Sequence, residues 1–188
     1  MKKLIISSIL LTAFLSLTSC KKEAEVEITE TETTTTAVDS TEAKQQQVNE
    51  EKEQLAKPYN EEEDAQAKIN ELVAKAKVEG KNVFVQAGGN WCIWCLRFND
   101  FVQKTEELKA IVDANYLYYH LNYSTKNKNT EVFEKYAPNG KKLGYPFFFV
   151  INGEGKVTKI IGSGELESEK SYDLQKVKQM FLNNVAKK

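Results

Sequence analysis

Histidine and cysteine are scarce in this chain of 188 residues: one histidine, His120, and three cysteines, Cys20, Cys92 and Cys95. A structural zinc site ordinarily takes four nitrogen or sulfur ligands. Cys92, Cys95 and a histidine in another segment fall short of that set, so no metal is expected. Haem attachment is excluded as well, because Leu96 rather than a histidine follows Cys95. Long hydrophobic runs are missing too. The apolar stretch from Leu4 to Leu17 is shorter than the roughly 20 residues of a spanning helix. Nor does any Lys/Arg cluster interleave with aromatics, which leaves no reason to expect a nucleic-acid partner. Large apolar side chains are rare across residues 21–64, a stretch dominated by Thr, Glu and Gln. Such a composition cannot bury enough surface to offset chain ordering, and it reads as a flexible spacer.

The first twenty residues, "MKKLIISSILLTAFLSLTSC", contain Lys2 and Lys3, then the acid-free apolar run, then "LTSC". A basic start followed by a short apolar core is the pattern of a secretion signal. The aliphatic Leu17, the small Thr18 and Ser19, and the cysteine resemble the lipobox of bacterial lipoproteins. The resemblance implies that residues 1–19 are a cleaved lipoprotein signal and that Cys20 is an acylated lipid anchor, held in the membrane by its acyl chains. By their composition, residues 20–63 then read as an acidic, Thr-rich tether from that anchor. Lys21 after the anchor lacks the acid of an inner-membrane retention signal, which points to the outer membrane with the domain in the periplasm. Disulfides persist outside the cytoplasm, so the other two cysteines have access to redox chemistry.

Charge divides along the chain. Residues 21–80 hold 8 lysines against 16 acids, and residues 81–188 hold 16 basic groups against 11 acids. The acidic part is mostly spacer and serves solubility, while the basic part reads as a solvated face.

Organised structure is expected over residues 64–188. Ile69, Leu72, Val73 and Ala76 recur at helical spacing, and Gly80 marks the stop. "NVFVQAG" is a short strand. One long helix is expected over "WCLRFNDFVQKTEELKAIV", with Phe98, Phe101, Val102 and Leu108 as its stripe. "NYLYYHLNYS" reads as a strand and "NTEVFEKYA" as a short helix. "YPFFFVIN" is a buried strand, joined by the turn Asn152–Lys156 to the returning strand "KVTKIIGS". "ESEKSYDLQKVKQMFLNNVAKK" reads as a terminal amphipathic helix with Leu174, Val177, Met180, Phe181 and Val185 inward. The fold class is therefore α/β, a mixed central sheet with helices on both faces and a C-terminal hairpin plus helix.

Cys92 and Cys95 sit between a strand and a helix, with Ile93 and Trp94 between them. At a helix N-terminus the free N–H groups stabilise a thiolate on Cys92, and Cys95 one turn on can resolve a mixed disulfide. An inert stabilising disulfide, common in exported domains, is the alternative that the residues leave open. "GNWCIWC" followed by "GYPFFFV" resembles the thioredoxin-like superfamily, in particular exported domains with a WCxWC motif, over residues 65–186. The resemblance implies that Cys92 is the nucleophile and Cys95 the resolver. It places Trp91 at the family's tryptophan, Pro146 at the cis-proline beside the disulfide, and Tyr145 where the backbone meets substrate. Ile93 and Trp94 replace the Gly-Pro of thioredoxins, and Gln86 stands where many members have a buried acid. An amide hydrogen-bonds but does not titrate, so Cys95 is expected to rely on water or another group.

His120 and the tyrosines Tyr116, Tyr118, Tyr119 and Tyr123 are expected in sheet packing, with His120 beside Tyr118. The resulting expectation is a membrane-tethered thiol–disulfide oxidoreductase acting on exported proteins or a membrane redox partner, with no cofactor. The alternative is a thioredoxin-like binding module with an inert disulfide.

Overall fold

The computed structural model describes the backbone of residues 35–187 and side chains from residue 41 onward. Cys20 and the signal segment lie outside the described residues. Among those described, no helix is long and apolar enough to cross a membrane.

The elements are α1 (Thr35–Gln54), α2 (Ala65–Glu79), β1 (Asn82–Gly88), α3 (Ile93–Lys104), α4 (Glu106–Asn115), β2 (Tyr116–Asn122), α5 (Thr130–Tyr136), β3 (Phe147–Ile151), β4 (Val157–Gly162), β5 (Glu167–Ser168), β6 (Ser171–Tyr172) and α6 (Leu174–Leu182). Four strands form one sheet in the order β2-β1-β3-β4. β1 and β2 are parallel, joined by the α3–α4 crossover, whereas β1–β3 and β3–β4 are antiparallel. The sheet is thus mixed.

The side-chain period of two sorts the strands onto two faces. Val83, Val85 and Ala87 of β1 and Phe147, Phe149 and Ile151 of β3 pack with α2 and α5. Phe84, Phe148 and Val150 point the other way, into Phe98 and Val102 of α3, Leu108 and Val112 of α4, and Val177 and Phe181 of α6. β1 is buried along its whole length, as a central strand covered on both faces must be. That is why "NVFVQAG" runs apolar without alternating.

Caps set the helix limits. Asp64 Oδ1 accepts from the N–H of Ala67 at 2.9 Å, and Gly80 closes α2 at φ 64°, a left-handed position that glycine takes without Cβ strain. Three readings need correction. The long helix expected after Cys92 is two helices, because Thr105 adopts an extended backbone (φ −90°, ψ 103°) and begins α4. Glu106 and Glu107 then stand in the first turn of α4, where the helix dipole favours them. The terminal helix starts later than expected, at Leu174, because Asp173 caps it by accepting from the N–H of Lys176. The residues before it form the small β5–β6 hairpin. Finally, residues 35–54, read as flexible spacer, are helical. Ala, Gln, Glu and Lys are strong helix formers, and α1 is held against α3 by Glu51 and Arg97.

Candidate active site

The polypeptide leaves β1 at Gly88 and enters α3 five residues later, at Ile93. Cys92 is the N-cap of α3, and its Sγ accepts from the N–H of Cys95 at 3.2 Å. Cys92 and Cys95 form a disulfide with Cα atoms 5.2 Å apart. Cys95 is fully buried and Cys92 is 6% exposed, so Cys92 is the sulfur that faces outward. The N–H of Cys95 belongs to the first turn of α3, and a donor at a helix N-terminus favours a thiolate on Cys92.

Several residues singled out in the sequence meet here. The Tyr145–Pro146 peptide bond is cis, and the carbonyl oxygen of Tyr145 lies 3.6 Å from Cys92 Sγ. Trp91 is 49% exposed. Its Nε1–H donates to the Tyr123 carbonyl at 2.6 Å, and its ring meets Tyr145 edge-on at 5.6 Å. Tyr145 in turn stacks on Tyr123 at 5.3 Å. Burial, with Tyr123 adding a smaller contribution, pushes the Tyr145 phenol up to about 12, so it stays protonated at neutral pH. Ile93 is half-buried. Trp94 turns away from that aromatic wall: it meets Tyr172 edge-on at 5.7 Å, and the Arg97 guanidinium lies 5.0 Å from its ring centre. Arg97 also pairs with both oxygens of Glu51, at 2.7 and 2.6 Å. That hydrogen bond holds the Glu51 carboxyl below its ordinary pKa against the opposing effect of burial.

Beneath the pair lies Gln86, fully buried. Its Nε2 donates to the Tyr59 hydroxyl at 2.7 Å and to the Cys95 carbonyl at 2.9 Å. Its Oε1 accepts from the Tyr118 hydroxyl at 2.6 Å. His120 stands beside Tyr118, with ring centres 5.0 Å apart, and meets Tyr59 edge-on at 5.2 Å. Its Nε2 is buried with no hydrogen-bond partner, and burial lowers its pKa to about 4. The imidazole is therefore neutral at physiological pH.

Tyr59 is the residue that sequence reasoning missed. It comes from the presumed spacer, yet it is only 3% exposed and packs with Cys92, Cys95 and Leu96. Asn90, in the loop before the cysteines, fixes it from both sides: Nδ2 donates to the Tyr59 carbonyl at 2.8 Å, and Oδ1 accepts the Tyr59 N–H at 3.1 Å. The sequence held one signal for this, a proline–aromatic pair, Pro58-Tyr59, in an otherwise polar stretch. Burial, partly opposed by the Gln86 hydrogen bond, raises the Tyr59 phenol well above its ordinary pKa.

Comparison with known proteins bears on the fold that carries this site. Residues 64–153 match the family model described as thioredoxin-like. A solved structure described as a disulphide isomerase from Xylella fastidiosa Temecula1 is 25% identical, with a TM-score of 0.60 over 69% of this chain and 97% of that one. A second, described as DsbH oxidoreductase, is 22% identical with a TM-score of 0.46, covering 61% of this chain and 81% of that one. No curated protein matches the chain. The domain has the thioredoxin-like α/β fold, with a CxxC-spaced disulfide at the start of α3.

Proposed function

We propose that this protein is a thiol–disulfide oxidoreductase of the cell envelope, tethered through an acylated Cys20 and acting on exported proteins or a membrane redox partner. The observation that supports it most directly is the Cys92–Cys95 disulfide capping α3, with Cys92 Sγ against the carbonyl of Tyr145. A substrate strand laid beside Tyr145 would bring its own sulfur to Cys92.

The exchange balances without a cofactor. In the reducing direction, the Cys92 thiolate attacks a substrate disulfide. One substrate sulfur leaves as thiolate and the other becomes joined to Cys92. The Cys95 thiolate then attacks Cys92 Sγ, which re-forms Cys92–Cys95 and releases the second substrate thiolate. Two electrons have passed to the substrate, and an external dithiol restores the starting state. The reverse sequence oxidises a substrate dithiol.

The deep burial of Cys95 and near-burial of Cys92 favour a second reading, a binding module with an inert disulfide. Replacing the resolving cysteine separates the two. Cys95→Ala is expected to accumulate mixed disulfides with envelope proteins through Cys92, visible as reductant-sensitive bands on non-reducing gels. Absence of any trapped species, with a wild-type pair below about −300 mV, the range of structural disulfides, selects the inert reading.

A further inference from the structure

Gln86 occupies the place beneath Cys95 where a titrating group would serve the buried sulfur, and its donors are all committed. Both Nε2 hydrogens are used, on the Tyr59 hydroxyl and the Cys95 carbonyl, and Oε1 takes the Tyr118 hydroxyl. The amide has no donor left for sulfur. The Tyr59 hydroxyl accepts from Gln86 and still has one O–H to give, and among the described residues no acceptor takes it. A buried donor without an acceptor is unfavourable and calls for an explanation.

Gly88 shows what the hydroxyl faces. A Cβ on Gly88 would stand 2.5 Å from Cys95 Sγ and 2.8 Å from the Tyr59 hydroxyl. Phenol oxygen and sulfur therefore flank the same small space, which stays open because residue 88 has no side chain.

We infer that Tyr59 is the positioning residue for Cys95, its O–H donating to the Cys95 sulfur once the disulfide opens. In the oxidised protein that sulfur is neutral and bonded, a poor acceptor. In the mixed disulfide and the dithiol it is free, and as a thiolate it is a strong one. An interaction made only after the S–S bond breaks favours the reduced state, so Tyr59 raises the reduction potential of the pair. During resolution it holds the thiolate that attacks Cys92 Sγ. The residue belongs to the segment preceding the thioredoxin-like match at residues 64–153, so the N-terminal segment completes the site. This inference deepens the proposed thiol–disulfide exchange and rests on it. Its test uses small thiols, so the result is independent of whether any protein substrate is trapped.

The test is the redox equilibrium of the full-length protein in dithiothreitol buffers, for wild type, Tyr59→Phe and Tyr118→Phe. Tyr59→Phe removes only the oxygen. It is expected to lower the dithiol-to-disulfide ratio about tenfold, which is a potential about 30 mV more negative. Tyr118→Phe removes a hydroxyl that bonds Gln86 rather than sulfur, and it is expected to lower the melting temperature while leaving the potential in place. A cooperatively folded Tyr59→Phe with an unchanged potential overturns the inference, as do equal shifts in both variants. If Tyr59→Phe does not fold, the wild type decides. With isotope-labelled tyrosine, the Cζ resonance of Tyr59 is expected to move on reduction and that of Tyr118 to stay, and a stationary Tyr59 resonance overturns the inference.

Discussion

At the scale of single residues, the environment of His120 yields a pH dependence with a definite sign. Its pKa falls from 6.5 in the unfolded chain to about 4 in the fold, because burial between Tyr59 and Tyr118 penalises the imidazolium. Between those values the unfolded chain binds the extra proton and the folded chain does not, so stability is full above pH 6.5 and declines as pH falls toward 4. At 1.36 kcal/mol per unit, the loss reaches about 3 kcal/mol. Denaturant titrations of wild type and His120→Phe across that range are expected to show a decline larger by about that amount in the wild type. The placement of His120 beside Tyr118 was legible from strand alternation alone. The orphaned Nε2 was not, because it depends on Tyr59 covering the ring from another segment, and no local pattern encodes which distant side chain arrives.

Among the elements, β1, β3 and the β3–β4 turn were readable because continuous apolar runs and an Asn-Gly turn have few alternative meanings. The break at Thr105 was not, since the apolar stripe continues through it from Phe101 to Leu108 and only backbone geometry separates α3 from α4. The β5–β6 hairpin was hidden for a related reason: two-residue strands leave no periodicity to detect. Helix α1 was obscured because its polar composition suits both a helix and a solvated coil. What tips the balance is docking through Glu51 and Arg97, a tertiary effect. The Glu51 carboxyl is held below its ordinary value of 4.5, so the latch is at full strength above that pH and is lost as pH falls through the lowered pKa. Glu51 is partly exposed, and exposed ion pairs contribute about 0.2–1 kcal/mol. A double-mutant cycle on Glu51→Gln and Arg97→Gln at neutral pH is expected to return a coupling in that range, vanishing in acid.

For the whole molecule, the two-faced sheet brings three separate stretches to one end. β1 carries Gln86 and leads into Cys92 at the start of α3, Pro146 stands just before β3, and the N-terminal segment delivers Tyr59. The first two meetings were foreseeable because motifs marked them. The third was not, because the boundary drawn at residue 64 by composition lies after Tyr59. The same convergence has an optical consequence. The chain contains two tryptophans, and both flank the sulfur pair: Trp91 precedes Cys92 and Trp94 precedes Cys95. A disulfide accepts an electron from excited indole and darkens it, whereas a dithiol does so poorly. Indole emission, excited selectively at the red edge where tyrosine does not absorb, therefore comes from the redox site, and reduction is expected to brighten it in wild type but not in Cys92→Ser. Exchange with any candidate partner can be followed as a change in the protein's own light, without a label.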